Sequence, residues 1–271
     1  MPTVGASHTE KRSFGHTLVC AAAAGSAAGF ICFPFEGLKK KYQSGQPISF
    51  HPRELYRGSC AFSVSVMTAT VGAMSAAHLL KGTPGYDPSS QIHLLCLALL
   101  SGVTGSYVGS TPVENTILKQ QMNQINPFRA IQSMLQNRGP SRLWVGASQL
   151  AGREAGFATA MLYGGEAART AVQIETGNDV LAGMAEIGVG IGGAALTHPL
   201  DTIATIRQKH EGLLSSAQAM KQIFHSKGVG GFFKGVGSRM VLFTGCATLI
   251  PRINRAVSKT LDSNKNSLNE K

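Results

Sequence analysis

Charge is scarce in this chain, and acid is scarcer than base. Asp, Glu, Lys and Arg make up 14% of its 271 residues, against about 25% in soluble domains. With 14 acids against 25 Lys and Arg, the formal charge is +11. Such an excess can mark a nucleic-acid binder. Here the cations are spread along connecting segments, aromatics reach only 7%, and no binding module is legible, so nucleic acid is not an expected partner. The five cysteines (Cys20, Cys32, Cys60, Cys96, Cys246) lack C-x-x-C spacing and all fall in apolar stretches. They read as small buried hydrophobes rather than disulfides or metal ligands. The histidines form no H-E-x-x-H pattern, and there is no P-loop or Ser-His-Asp order. No metal, no cofactor and no enzymatic chemistry is expected.

What is present is hydrophobic length. Apolar runs cover about 17–35, 60–80, 92–111, 145–165, 180–200 and 236–251, each near the roughly 20 residues that one helical crossing of a bilayer needs. Gly is abundant at 32, and small-x-x-x-small pairs recur: Gly25 with Gly29, Gly105 with Gly109, Gly190 with Ala194. Such pairs let helix backbones pack closely in lipid. A secretory signal reading of the first run is disfavoured, because cleavage there would discard the Gly25/Gly29 pair. The mean hydropathy of +0.05 suits helices with one face on lipid and one on a wet cavity.

The runs also carry a repeat. Pro34-Phe-Glu36 leads to Gln43, Pro112-Val-Glu114 to Gln121, and Pro199-Leu-Asp201 to Gln208. Each copy is followed by an aromatic, one residue, then Gly: Tyr56-Arg57-Gly58, Trp144-Val145-Gly146 and Phe233-Lys234-Gly235. Three ordered pairs of motifs point to three tandem units. Cations concentrate in the first, third and fifth connections, for example Lys39, Lys40, Lys41, Arg53 and Arg57 in the first, which places both termini on the opposite, less basic side. The third connection (Phe128, Ile131, Leu135) and the fifth (Met220, Ile223, Phe224) carry short amphipathic patterns suited to interfacial helices. The first is too short for one and holds Pro47 and Pro52.

This pattern resembles the mitochondrial carrier family, whose repeats carry P-x-[DE]-x-x-[KR]-x-[KR]-x-Q and then [DE]-G-x-x-x-x-aromatic-[KR]-G. Pro34, Glu36, Lys39, Lys41 and Gln43 fill every marked position of the first part. Lys227-Gly228 before Phe233-Lys234-Gly235 fits the second, with a base where the acid belongs. The resemblance covers about residues 14–259. It implies an all-α membrane protein of six transmembrane helices in three two-helix repeats about a pseudo-threefold axis. The expected division is a polar tail 1–13, repeats 14–88, 89–176 and 177–260, and a polar, disordered tail 261–271. It further implies a monomer in the mitochondrial inner membrane, termini toward the intermembrane space, with cardiolipin at the matrix-side helix ends.

Roles follow from the resemblance residue by residue. The matrix gate would comprise Glu36, Glu114 and Asp201, each pairing with a cation three residues along in a neighbouring repeat. That slot is Lys39 in repeat one but Ile117 and Ala204 in the others, so one of three bonds is expected, with Arg207 as the substitute for Ala204 and Lys119 a poor one for Ile117. Gln43, Gln121 and Gln208 would be the glutamine braces, and Pro34, Pro112 and Pro199 the helix kinks. The cytoplasmic gate maps to His78 and Lys81, Glu166 and Arg169, where only the middle repeat keeps both charges. Thinned networks on both sides would ease reorientation of the empty carrier and favour net transport over exchange.

Arg153-Glu154 lies in the middle of the fourth run. An arginine left there in lipid costs about 2.5–3.5 kcal/mol, so it must face a cavity or a partner. The resemblance makes this pair the central contact position, with Ser65 and Leu242 as its counterparts and Arg239 as a further cation. An Arg followed by an acid there is similar to carriers of amino acids and related zwitterions, including S-adenosylmethionine. A nucleotide is the alternative cargo, and a carrier-fold adaptor without transport is the alternative function.

Overall fold

The computed structural model describes residues 14–87 and 90–269, so the expected tail 1–13 lies outside the described residues. It is all-α, with no strand among the described residues. Helix α1 (Phe14–Ser44) is followed by the single turn α2 (Pro52–Leu55) and by α3 (Ser59–Lys81). Next, α4 (Gln91–Gly105) and α5 (Thr111–Asn123) are joined through a π-helical turn at Ser106–Ser110, and α6 is Pro127–Arg138. Helices α7 (Ala147–Thr159) and α8 (Glu166–Thr176) are joined through a second π turn at Ala160–Gly165. The chain ends with α9 (Asp179–Leu196), α10 (His198–Lys209), α11 (Ser216–Lys227) and α12 (Val236–Asn269).

These elements make six long rods: α1, α3, α4–α5, α7–α8, α9–α10 and α12. Consecutive rods pack on one another, and α12 returns to α1, so the bundle closes into a ring. Small residues set the close approaches. A Cβ on Gly25 or Gly29 would lie 3.0 Å from atoms of α3, and one on Gly102 would lie 2.6 Å from the backbone of Ala155 in α7. Large apolar side chains such as Val19, Ile31, Ile92, Val108 and Leu196 face outward. Among the described residues, four stretches are long and apolar enough to cross a membrane: Phe14–Ser44, Pro52–Leu80, Ile92–Asn123 and Asp179–Leu196.

The amphipathic patterns of the third and fifth connections are helices α6 and α11. Asn126 caps α6 by accepting from Arg129 N at 2.8 Å, and Ser215 with Gln218 forms a capping box on α11. One expectation needs correction. The segment after Leu261 was expected to be disordered, yet α12 continues to Asn269; no Gly or Pro follows Pro251 to stop it. The three prolines also differ in local form. Helix α1 runs through Pro34 without interruption, Pro112 follows the π turn, and Pro199 follows a helix break at Thr197.

The glycines of the three aromatic-x-Gly elements do one common job. Gly58, Gly146 and Gly235 have φ of 102°, 84° and 86°, a left-handed conformation that an L side chain resists. Each stands directly before an even rod. Each also rests on the cation slot of another repeat: a Cβ on Gly58 would lie 3.3 Å from Ile117, on Gly146 3.3 Å from Ala204, and on Gly235 3.3 Å from Lys39 O. The same contact made three times around the ring, from one repeat to the next, is the geometry of a threefold arrangement.

Candidate functional site: a buried ion network beneath a central cavity

The acids of the three Pro-acid elements converge at one end of the bundle, and none is left unpaired. Glu36 takes Lys39 of its own helix at 2.7 Å, and Lys39 also reaches Asp201 at 3.3 Å. Glu114 receives Lys40 at 2.7 Å and Arg153 at 2.8 Å. Arg153 bonds Asp201 and its neighbour Glu154 as well. Lys40 is 0% exposed and Asp201 0%, with Arg153 at 5%. Charges buried this deeply persist only when paired and hydrogen-bonded.

Of the three bonds of the family pattern only Lys39–Asp201 forms, and the remaining pairing comes from other positions. Ile117 and Ala204 do occupy the expected cation slots. Ile117 is buried in an apolar cluster with Phe33, Phe62 and Leu242, and Ala204 lies under Gly146. Their partners are replaced from elsewhere: Lys40 comes from the residue after the first repeat's own slot, and Arg153 from the fourth rod. Arg207, the expected substitute, does not join the network. Its guanidinium bonds Gln149 Oε1 at 2.7 Å and Leu214 O at 3.2 Å, because it lies a turn further along α10 toward the connection. Lys119 pairs with Glu211.

The glutamines divide. Gln43 donates to Asp201 Oδ2 at 2.6 Å and accepts from Thr205 at 2.9 Å, bracing α1 against α10. Gln208 donates only to Val145 O at 3.4 Å, and neither amide atom of Gln121 has a hydrogen-bond partner. Braces of another kind hold the network from behind. Asn115 donates to Leu143 O and Val145 O at 3.0 Å each, and Arg142 bridges Asn115 Oδ1 to Gln208 O. The indole of Trp144 donates to Tyr107 O at 3.0 Å. In the π turn the next N–H in register for that carbonyl would be that of Pro112, which has none. The tryptophan supplies the missing donor.

Above the network lies a cavity of about 380 Å³, whose wall includes Ser65, Arg153, Glu154, Arg239 and Leu242. All five expected contact residues therefore face one space. Arg239 is 1% exposed; it donates to Thr197 Oγ1 at 3.0 Å and lies 5.1 Å over the ring of Phe243. Its Nη1 has no hydrogen-bond partner, nor does Arg153 Nε.

Among the described residues, the other end of the bundle has no comparable set of buried ion pairs. His78 stacks on Phe14, with centroids 4.2 Å apart. The exposed Arg169 pairs with Glu186 of α9 at 3.0 Å rather than with Glu166. The side chain of Lys81 lies outside the described residues. Sequence reasoning placed the acids but missed Lys40, Thr205, Asn115, Arg142 and Phe243. The one available signal was the run Lys39-Lys40-Lys41, which offers a cation on either side of the motif position.

Residues 172–250 match the family model described as mitochondrial carrier protein. The chain is also similar to the mitochondrial glycine transporter B of Danio rerio, 24% identical over 200 residues that span 70% of this chain and 67% of that protein. Both findings support a divergent member of the mitochondrial carrier family. The departure from the family pattern lies in the ion network: the chain keeps the three acids and replaces two of their three cations from other positions.

Proposed function

We propose that this carrier moves a small zwitterion of the amino-acid class across the mitochondrial inner membrane by alternating access. The charge of its cavity carries the reading. The ionisable side chains in the wall are three acids, Glu36, Glu114 and Glu154, and three bases, Lys39, Arg153 and Arg239. A neutral zwitterion exchanges its two charges with such a wall one for one. A nucleotide polyanion would bring several charges into a low-dielectric space with none left over to meet them. A cavity of this size is in the range that encloses a small metabolite. The likeness to a protein named for glycine transport points the same way.

In this reading Arg239 Nη1 and the planar fork of Arg153 hold the cargo carboxylate, and Glu154, partly open to the cavity, takes the ammonium. Ser65 and Leu242 shape the remaining wall. Arg153 also couples cargo to gate. It bonds Glu114, Asp201 and Glu154 together, so a carboxylate that draws it away weakens the hold on two of the three gate acids at once, leaving Glu114 to Lys40 and Asp201 to Lys39 and Gln43. The matrix gate is Glu36, Lys39, Lys40, Glu114, Asp201, Arg153 and Gln43; the cytoplasmic gate, open here, would draw on His78, Glu166 and Arg169. The six rods are six spans in three repeats, 14–88, 89–176 and 177–260. The termini face the intermembrane space, the carrier works as a monomer, and cardiolipin sits at the matrix-side helix ends.

Uptake into proteoliposomes tests the proposal. Labelled glycine or S-adenosylmethionine is expected to enter wild-type vesicles, and entry is expected to be lost in Arg239→Ala and Glu154→Gln. Uptake of ATP unaffected by excess amino acids would favour a nucleotide cargo. Flux of none of these would favour an adaptor.

A further inference from the structure

Two cysteines far apart in the chain meet where the ring of helices closes. Cys246 of α12 packs against the buried apolar cluster that contains Cys32 of α1, and both thiols are free. Gly245 permits the approach, since a Cβ there would lie 2.9 Å from Cys32 Sγ. The pair sits beside Phe33, Phe62 and Leu242 in the packing of α1 on α12. The two sulfurs are not equivalent. Cys32 is buried, whereas Cys246 forms part of the cavity wall. A small water-borne reagent in the cavity meets Cys246 first, with Cys32 in the apolar cluster against which it packs. The other cysteines offer no such arrangement: Cys20 contacts His16, and Cys60 and Cys96 are exposed on the outside of α3 and α4.

We propose that Cys32 and Cys246 form a redox clamp, which a peroxide entering the cavity closes into a disulfide fastening α1 to α12. The Cys246 sulfur attacks one peroxide oxygen and breaks the O–O bond, its thiol proton passing to the departing hydroxide, so that a sulfenic acid on Cys246 and one water result. The Cys32 sulfur then attacks the Cys246 sulfur, its proton leaving with the sulfenic oxygen. The S–S bond forms, the S–O bond breaks, and a second water leaves. The two thiols lose two electrons and two protons, and the peroxide is reduced to two waters. The bond ties the first rod to the last, so the seam can no longer open when the rods move apart. It also closes nearly the whole chain into one loop, which restricts the unfolded state. The disulfide itself does not depend on the transport reading; only its effect on flux does.

Full-length protein treated with hydrogen peroxide, alkylated, digested and examined by mass spectrometry tests the clamp. The expected product is a linked peptide joining Cys32 to Cys246, two hydrogens lighter than the free pair and absent from both Cys32→Ser and Cys246→Ser. Oxidation is expected to raise the thermal unfolding midpoint of the wild type and to abolish its uptake, both reversed by dithiothreitol and both absent in Cys246→Ala. If a variant fails to fold, the wild-type peptide map and the reversible rise in midpoint decide. Linkage through other cysteines, isolated sulfinic acids at the two positions, or a Cys32–Cys246 disulfide with an unchanged midpoint would each overturn it. Should no cargo be transported at all, the map and the midpoint still test the clamp.

Discussion

Lys40 Nζ lies 2.7 Å from Glu114 Oε2 and 3.2 Å from Thr205 Oγ1, so one side chain of the first rod ties together the third and the fifth. The family pattern assigns no role to this lysine. It stands one residue beyond the usual cation position, and with Arg153 it supplies what Ile117 and Ala204 cannot.

Replacing Lys40 with Met leaves Glu114 with Arg153 alone. Removing one partner of a buried pair costs about 3–5 kcal/mol, so the thermal midpoint is expected to fall clearly, with partial recovery in Lys40→Arg. The matrix-side closure should also loosen. The matrix-side network is fuller than the thinned one expected from the motif, so the empty wild type is expected to reorient slowly, and uptake into vesicles without internal cargo is expected to rise relative to exchange in the variant. An unchanged ratio of the two rates would count against a gating role for Lys40.

Arg153→Lys keeps the charge and loses the fork. Each charge-assisted hydrogen bond given up costs about 1.5–3 kcal/mol, which is about ten- to a hundredfold in affinity. Cargo affinity, read from the ligand-induced rise in thermal midpoint, is expected to weaken by that order while the protein stays folded. Equal affinity in the two proteins would remove Arg153 from the cargo site.

Restoring the family's cation at position 117 is expected to harm the protein. Ile117 is wholly buried against Phe33 and Phe62, and truncating such a residue loses about 2–5 kcal/mol of packing before any cost of burying an ammonium. Ile117→Lys should unfold well below the wild type in a thermal melt. A neutral or stabilising result would show that the slot is still open to the acids.

Trp144 is the only tryptophan in the chain, and its indole closes the carbonyl that Pro112 leaves open. Trp144→Phe is expected to cost about 1–3 kcal/mol, the range for leaving a polar group unsatisfied, measured as a lower unfolding midpoint. In the wild type, saturating cargo should shift tryptophan emission as the π turn moves with the gate. No shift under conditions where transport proceeds would mean that the turn is static.

Much of this molecule was legible in the residues. Period, length and small-residue spacing gave six helical stretches, because apolar runs of that length have few other ways to satisfy their backbones. The prolines, acids and left-handed glycines recurred in order, and their spacing set them at equivalent places on equivalent rods. Motif spacing also put Arg153, Glu154, Arg239, Ser65 and Leu242 on the cavity wall.

The sequence by itself determined which positions carry ions and which rods bear them, since those follow from local chemistry and from repetition. Partner choice was decided only in three dimensions. Lys40 reaches Glu114, Arg153 reaches Asp201, and Cys32 meets Cys246 across gaps in sequence that no periodicity spans. A buried charge takes whichever opposite charge the packing brings within about 3 Å, and that is a property of how the ring closes.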